Sequence, residues 1–409
     1  LIQTLIRKGI LTQEEAADIK SEVAAISEPS PQAPAVVNRS SPDVKYIPMP
    51  SNLDSLKLYG DARFRYQYEN ARSQSGNNND RSRWRYRARF GADYIFKDSA
   101  YSMGLRLETG ESNDSTNVNY GGFFDKTGDS IGIGLLYLNY KGEDWNITLG
   151  KHKNPFMISG AFWDSDINPE GISESYQSGA WTHTFGQYVI DEENESKQTS
   201  GGPRVDDDYL FVAQSKWTNG EGLSIAPMIF GTTGGVSTAS ESAGFKGENG
   251  IKNFNNMFIA ALPFEYKFKT GGQSQTLFGT WGINLEGDDA INDPSSPFYG
   301  GGPGMSSRNQ FFNLGYKNGS AKKTGQWEWG VEYRYIEAAS ITPNLSDSDF
   351  AKNHTNQHGI VFSSKYAVTD FFTTGLTLIV TEEIDDAFTS PVANSGDVDM
   401  VQLDASVKF

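Results

Sequence analysis

The sequence lacks cysteine, which is compatible with an oxidising cell-envelope compartment. It also lacks long apolar runs, and none approaches the roughly 18 residues that a membrane-spanning helix needs. A hydropathy plot would class the chain as soluble, but a β-barrel crosses a bilayer with short strands in which only alternate residues are apolar. The chain starts at Leu1 without the features of an export signal, so we expect any such signal to have been removed.

Positive charge is scarce as well: Lys plus Arg total 35 against 51 Asp plus Glu, and the formal net charge is −16. This balance argues against nucleic acid as a partner. Most arginines nevertheless fall between Arg63 and Arg106, so an acidic chain carries one local basic region. The 43 glycines, 25 phenylalanines and 19 tyrosines are typical of strands and turns. A large barrel can hold a chain of this length in one domain.

Segment Arg81–Phe96 combines aromatic and basic side chains in strict alternation. Successive side chains of a strand point to opposite faces. One face carries Trp84, Tyr86, Ala88, Phe90, Ala92, Tyr94 and Phe96, and the other carries Arg81, Arg83, Arg85, Arg87 and Arg89. In a soluble sheet the arginines would face water and the aromatic face would pack on a core. In an outer-membrane barrel the aromatic face contacts lipid and the arginines line an aqueous lumen.

The same alternation of side chains continues from Leu56 to the last residue. Short turns and long polar loops follow one another in regular succession between the strands. This asymmetry is typical of outer-membrane barrels, which have short periplasmic turns and long extracellular loops, and it argues against a soluble sandwich or propeller. The pattern predicts an all-β fold, a transmembrane antiparallel β-barrel of about 16 strands over residues 52–409. Without Gly171–Gln177 and Ala180–Ile190, the least regular pair, the count would be about 14.

Two segments precede the predicted barrel. Residues 1–27 are predicted to form a short periplasmic helical segment, because Thr12 and Glu15 make a capping box. Its narrow apolar stripe consists of Ala16, Ile19, Val23 and Ile26. The stripe could join subunits as a coiled coil or pack on the barrel. Residues 28–51 are rich in proline and are predicted to form an extended linker. An even strand count puts both barrel ends on the periplasmic side.

Four motifs and the terminal residue stand out from the strand pattern. They are Leu5-Ile-Arg-Lys-Gly-Ile-Leu-Thr-Gln-Glu-Glu-Ala16, Leu138-Asn-Tyr-Lys141, Thr148-Leu-Gly-Lys-His-Lys-Asn-Pro-Phe156, Trp163-Asp-Ser-Asp-Ile-Asn-Pro-Glu-Gly171 and Phe409. Together they resemble bacterial outer-membrane porins, in particular those related to the phosphate-selective porin O and P group. A last strand ending in Phe409 also resembles the signal that such barrels present for assembly. The resemblance implies a 16-stranded, usually trimeric channel whose third loop folds into the lumen.

If the aromatic face meets lipid, the lumen has one strongly basic wall. The candidate pore-lining basic residues are Arg63, Arg65, Arg81, Arg83, Arg85, Arg87, Arg89, Arg106, Lys151 and Lys153. Residues two apart on a strand are separated by about 6.5–7 Å and neighbouring strands by about 4.8 Å, so the arginines would form one patch. Alternation from Leu149 puts the two lysines on the lipid face, and a bulge or the strand end would have to redirect them.

Guanidinium groups stay charged at any relevant pH, so such a patch needs solvent or facing acids. We expect the acids in the loop after Phe156, where the resemblance places a constriction loop. The candidates are Asp164, Asp166, Glu170 and Glu174. A basic wall opposite an acidic loop would select solutes by charge. In the alternative arrangement the arginines pair within the wall, with Asp61, Glu69, Asp93 and Glu108.

Catalysis and resident metals are not expected. His354 and His358 would lie about 13 Å apart on one strand face, too far for one metal. No serine–histidine pair with an orienting partner falls on a lipid-facing strand, as an outer-membrane phospholipase requires. We expect no cofactor. The acidic clusters Asp206-Asp-Asp208 and Glu382-Glu-Ile-Asp-Asp386 could hold Ca²⁺ or Mg²⁺ in the loops, but solvated charge runs are the preferred interpretation.

The sequence therefore predicts an outer-membrane porin, a passive diffusion channel for small hydrophilic solutes with an arginine-lined constriction that favours small anions. Its expected partners are outer-membrane lipid, lipopolysaccharide, small anionic solutes and further copies of itself in a homotrimer. Two alternatives remain open. The barrel could serve mainly as a tether, with the amino-terminal helix binding a periplasmic partner or peptidoglycan, or it could sheathe an electron-transfer partner. Both alternatives imply little conductance.

Overall fold

The computed structural model describes residues 12, 50–73, 78–110, 115–121, 131–191, 208–233, 257–287, 308–384 and 396–409. Asn52–Phe409 forms one compact unit. The predicted helical segment (1–27) and linker (28–51) lie outside the described residues, apart from residues 12, 50 and 51. Across the described ranges, no helix is both long and apolar enough to cross a membrane.

The described chain is built almost entirely from β-strands. They are β1 (Leu53–Ser73), β2 (Asn78–Phe96), β3 (Tyr101–Thr109), β4 (Val118–Asn119), β5 (Ile131–Lys141), β6 (Trp145–Lys151), β7 (Glu170–Ser178), β8 (Trp181–Asp191), β9 (Asp208–Thr218), β10 (Leu223–Ile225), β11 (Met228–Thr232), β12 (Phe258–Thr270), β13 (Gln273–Asn284), β14 (Gln310–Gly319), β15 (Trp327–Ile336), β16 (Gln357–Ala367), β17 (Phe372–Glu383) and β18 (Gly396–Lys408). One short 3-10 turn, Ala351–Asn353, precedes β16.

These strands close into an antiparallel barrel of sixteen spans. β10 and β11 are two parts of one span, because Pro227 between them has no N–H to donate to the ladder. The two-residue β4 only extends the pairing beside β2. β1 pairs with β18 from Asp61–Lys408 to Ser73–Gly396, which closes the sheet. The predicted sixteen-stranded barrel is confirmed, and β7 and β8 are both present.

The two faces of the barrel wall differ as the alternation predicts. On β2, Trp84 is 60% exposed and Phe90 48%, whereas Arg85 between them is 8% exposed. The apolar face therefore points outward and the basic face inward. One irregularity in β5 has a structural reason: Ile133 and Leu135 are two residues apart, yet Ile133 is 52% exposed and Leu135 1%, because the β3–β5 register shifts between Arg106 and Leu107. The extra residue, Gly134, changes the parity, so Ile133 points outward and Leu135 inward, and regular alternation then places Leu136 outward.

Long and short connections separate as expected, and two of the long loops fold into the barrel. The short turns lie at 97–100, 142–144, 179–180, 219–222, 271–272, 320–326 and 368–371. Residues 152–169, between β6 and β7, and residues 337–356, between β15 and β16, contribute Phe162, Ile341 and Phe350 to a buried apolar cluster. The wall contributes Tyr188, Phe230, Ile259 and Phe311 to the same cluster. The barrel interior is thus partly filled by apolar packing.

Candidate functional site

Eight arginines share the inner face of β1, β2 and β3, and we call them the arginine wall. They are Arg63, Arg65, Arg81, Arg83, Arg85, Arg87, Arg89 and Arg106. Register places Arg65 opposite Arg85 and Arg63 opposite Arg87, so guanidiniums meet directly across neighbouring strands. Arg65, Arg85 and Arg106 are less than 10% exposed. Buried like charges this close require counter-charges or neutral hydrogen-bond acceptors.

Several arginines of the wall form ion pairs with acids on the barrel strands. The ion pairs are Arg87–Asp61 at 2.7 Å, Arg89–Asp61 at 2.7 Å, Arg83–Glu69 at 3.1 Å, Arg106–Glu108 at 2.7 Å and Arg65–Asp404 at 2.7 Å. Three of the four acids named in the alternative arrangement therefore pair with arginines. Asp93 has no ion pair within the described part of the chain. Much of the charge of the wall is compensated locally.

Arg63 and Arg85 are different, because no carboxylate of the described residues lies within 4 Å of either guanidinium. Arg85 donates to Gln67 at 3.2 Å and to the Ser115 hydroxyl at 3.3 Å, and Arg63 donates to the Asn117 amide oxygen. The Nε atoms of both arginines are buried without a hydrogen-bond partner. The positive charge of the wall is thus least compensated at this pair. Arg81 also lacks an acid partner among the described residues, and its side chain is exposed.

The third loop, residues 152–169, crosses the interior from β6 and β7 to the far wall. The Met157 N–H donates to Gln214 of β9 at 2.8 Å. Ser159 accepts from the Asn313 amide at 3.1 Å, and the rings of Phe162 and Phe311 have centroids 4.3 Å apart. The inward-folded third loop that the resemblance implies is therefore present in the structure.

The four predicted constriction acids separate into different places. Asp166 has a carboxylate oxygen 3.8 Å from Arg89 and is the acid of this loop that approaches the wall. Asp164 is 7% exposed and accepts backbone N–H groups, among them that of Ser348 at 3.1 Å. Glu170 begins β7 and pairs with a lysine at 2.6 Å.

Glu174 requires a correction to the sequence prediction. It lies inside β7 rather than in the loop. Its neighbour Ser173 is 4% exposed and points inward, so Glu174 points outward, where it shares a surface groove with Phe185 and Phe211. The sequence interpretation placed the end of the loop beyond the start of β7. Within a strand, successive side chains point to opposite faces, so Glu174 lies on the face opposite to Ser173.

The two lysines at the base of the third loop enter separate cavities. Gly150 has φ +112°, a conformation that redirects the chain at the end of β6. Lys151, the partner of Glu170, lines a cavity of about 600 Å³ together with Asp166. Lys153 lines a second cavity, of about 470 Å³, together with Lys57. Simple alternation from Leu149 would place Lys151 on the lipid-facing side. The bend at Gly150 accounts for its access to the cavity.

Three acids close to arginines were missed by the sequence reasoning. Asp404 of β18 pairs with Arg65, as does Asp349 of the loop 337–356, at 2.9 Å. Asp347 of the same loop pairs with Arg334 of β15 at 2.5 Å. A signal was available, because Asp347-Ser-Asp349 repeats the sequence Asp164-Ser-Asp166.

Two loop carboxyls have strongly shifted pKa values. Burial and the nearby Asp347 raise the pKa of Asp164 to about 8. Burial would also raise the pKa of Asp349, but the charge of Arg65, a hydrogen bond from Gln402 and the charge of Arg85 hold it at about 2. At neutral pH the first carboxyl is therefore protonated and the second ionised.

A serine–histidine contact fixes the base of the third loop. The His152 ring bonds through Nδ1 to the Lys153 carbonyl at 2.8 Å and through Nε2 to Ser173 at 3.1 Å. Because the carbonyl only accepts, Nδ1 is the donor, and Nε2 accepts from the serine hydroxyl. Tyr188 bonds to the same hydroxyl at 2.6 Å. His152, Ser173 and Tyr188 are each under 5% exposed, which suits a structural clamp.

The acidic residues that the sequence offers as metal ligands are only partly described by the structure. No group of three or more potential ligands fit to hold a metal occurs within the described ranges. The acidic clusters at 206–208 and 382–386 lie partly outside those ranges, so their interpretation as solvated charge runs, with loop-bound Ca²⁺ or Mg²⁺ as the alternative, stays a prediction.

A closed sixteen-stranded barrel with an apolar outside, a charged inner wall and an inward-folded third loop defines a membrane channel of the outer-membrane type. A family model described as "Putative porin" matches residues 69–222 and 300–409, more than half of the chain. The chain belongs to this porin family. Its fold is that of channels rather than of enzymes.

Solved structures share the fold at low sequence identity. OprB of Pseudomonas putida is 11% identical with a TM-score of 0.53, and the match covers 87% of this chain and 94% of that one. OmpF of Salmonella typhi, in a complex with daunomycin, is 10% identical with a TM-score of 0.52, covering 87% and 97%. No curated protein was found that matches the sequence. At these identities the likeness establishes the fold alone.

Proposed function

We propose that this porin is a passive diffusion channel of the outer membrane whose constriction prefers small anions such as phosphate, carboxylates or sulfate. The observation that carries the proposal is the pair Arg63 and Arg85, which stands in the inner wall without a carboxylate within 4 Å among the described residues. The proposal includes a relation to the phosphate-selective porin O and P group and assembly as a homotrimer. The channel catalyses no reaction, and solutes move down their own gradients.

Simple electrostatics gives the expected size of the preference. A unit charge about 7 Å from a passing ion contributes about 0.6 kcal/mol in a water-like dielectric, which is close to RT. The contribution favours an anion and disfavours a cation, so the difference between them is about 1.2 kcal/mol, which corresponds to roughly sevenfold in the anion-to-cation permeability ratio. Guanidinium does not neutralise at working pH, so the contribution of Arg85 persists. Charges on the lumen wall select permeating ions in this way.

The proposal also covers the surroundings of the barrel. Exposed aromatic side chains of the outer face, such as Trp84 and Phe90, would contact outer-membrane lipid and lipopolysaccharide. Residues 1–27 would form a periplasmic helical segment, joined to the barrel (52–409) by the linker 28–51. The solutes would be small and hydrophilic, and we propose no cofactor.

A tethering or sheathing barrel of low conductance is the second candidate. It is favoured by the apolar cluster inside the barrel, where Phe162 and Phe311 are both 0% exposed. Recording from the purified protein in a planar bilayer separates the two. Discrete ohmic conductance steps are expected for the diffusion channel, whereas insertion without conductance would support the tether.

The contribution of the arginine wall is tested by Arg85→Ala. Loss of this charge should lower the anion-to-cation permeability ratio about sevenfold, measured from the reversal potential in a salt gradient. Arg72→Ala is the matched control. Arg72 lies on β1, the strand next to that of Arg85, but it is not part of the arginine wall and pairs with Asp397 and Asp399. If both variants retain the wild-type ratio, Arg85 does not influence the ion path.

A further inference from the structure

The loop 337–356 is packed inside the barrel rather than above it. Ile341 is 0% exposed and Phe350 2%. The Ala339 carbonyl accepts from the Asn284 amide at 3.0 Å, and Thr355 donates to the Ala338 carbonyl at 3.0 Å. The first bond fixes the start of the loop to the end of β13, and the second joins the two ends of the loop to each other.

This loop and the third loop bind each other through their backbones. The Asp164 N–H donates to the Leu345 carbonyl at 2.8 Å, and the Asp347 N–H donates to the Ala161 carbonyl at 3.3 Å. Each Asp-Ser-Asp sequence makes the same local turn, in which the first carboxylate accepts the N–H of the second aspartate, at 2.9 Å and 3.0 Å. The two loops form one clasp across the interior.

The clasp is anchored to two separate spans of the inner wall by its two acids. Asp347 binds Arg334 of β15 at 2.5 Å, and the guanidinium of Arg334 also lies over the ring of Phe350, 5.1 Å from its centroid. Asp349 binds Arg65 of β1 at 2.9 Å, four spans from β15 around the barrel. The Asp349 side chain remains 26% exposed, whereas that of Arg65 is 5% exposed. Of this pair, the carboxylate is the group that solvent in the lumen reaches.

The electrostatic surroundings of Asp349 make it the counter-charge of the uncompensated arginines. Besides Arg65, the charges of Arg85 and Arg63 act on its carboxylate. Asp166 of the third loop, by comparison, reaches the wall only at 3.8 Å, at Arg89, which already pairs with Asp61 at 2.7 Å. Of these two loop acids, it is therefore Asp349 of the loop 337–356 whose charge acts on Arg63 and Arg85, together with Asp404 of β18 at Arg63.

We infer that the loop 337–356 is a second constriction loop and that Asp349 is a specificity-determining residue, which sets how much of the positive charge of the arginine wall a passing ion meets. The inference rests on the proposed function, because it assumes that ions pass the wall. It shifts the acidic side of the constriction away from the third loop.

Asp349→Asn tests the inference by removing the charge and keeping the shape. The anion-to-cation permeability ratio should rise about sevenfold above that of the wild type, read from reversal potentials in a salt gradient. Asp370→Asn is the control, since it removes the same charge from an exposed short turn, where Asp370 pairs with Lys323, and it should leave the ratio unchanged. An Asp349→Asn ratio equal to that of the wild type would overturn the inference.

The absence of cysteine provides a second variant if Asp349→Asn does not assemble. In Asp349→Cys, an anionic thiosulfonate reagent should return the ratio toward the wild-type value, and a cationic reagent should raise it further. Mass spectrometry shows whether the cysteine has been modified. Complete modification without any change in the anion-to-cation permeability ratio would overturn the inference. These readouts are differences between variants. A wild type that prefers cations would contradict the proposed function, while the direction of the Asp349 effect would still decide the inference.

Discussion

At the scale of single residues, the bend at Gly150 determines how the third loop leaves the wall. Its φ of +112° is unfavourable for any residue with a side chain, and an added Cβ would lie 2.4 Å from the Leu136 carbonyl oxygen. We expect Gly150→Ala to destabilise the barrel by about 1–3 kcal/mol, measured from urea unfolding in detergent. Gly132→Ala is the control, because its Cβ would meet no atom within 4 Å. Equal stabilities of the two variants would contradict the strain.

Residue parity is also where sequence interpretation succeeds and fails. Strict alternation was enough to place Arg85 and Trp84 on opposite faces, because a strand leaves only two directions for a side chain. It was not enough for Glu174, whose face depends on where the loop ends and β7 begins. Ile133 and Leu135 show the same sensitivity, since a bulge that the sequence does not mark changes the parity between them.

At the scale of elements, the clasp between the two loops holds a carboxyl pair that responds to pH. Burial and Asp347 raise the pKa of Asp164 to about 8 from its ordinary value of 3.8. The protonated form therefore favours the clasp: this stabilisation is complete below about pH 4 and is lost as the pH rises through about 8. Raising the pH should loosen the loops and change the single-channel conductance and its noise.

The pH response should depend on Asp164 itself. Comparing about pH 6 with about pH 9, we expect Asp164→Asn, which imitates the protonated acid, to lose most of the change seen in the wild type. Glu170→Gln, whose parent residue pairs with Lys151 at the loop base, should keep it. A response of Asp164→Asn as large as that of the wild type would show that another group titrates.

Elements differ in how far sequence patterns predict them. Strands were predictable because apolar and polar positions alternate, and turns because glycine and asparagine mark them. The pairing of the loop 152–169 with the loop 337–356 was not, because it depends on contacts between residues far apart in sequence, such as Asp164 with Leu345. The repeated Asp-Ser-Asp sequence indicates a shared turn, but it does not specify a partner.

At the scale of the whole molecule, net charge and local charge have opposite signs. The chain carries −16, yet the inner face of three adjacent strands concentrates eight arginines. The far side of the interior is packed with apolar side chains such as Tyr188, Phe230 and Ile259. An ion inside the barrel therefore meets one charged wall, and screening over about 10 Å at 0.1 M salt weakens the more distant loop charges.

The most direct test of the account is the reversal potential of the wild-type channel between two KCl solutions of different concentration. If the arginine wall governs permeation, the zero-current potential takes the sign of the chloride equilibrium potential. A potential with the sign of the potassium equilibrium potential would mean that the acidic residues prevail over Arg63 and Arg85, and it would contradict the account.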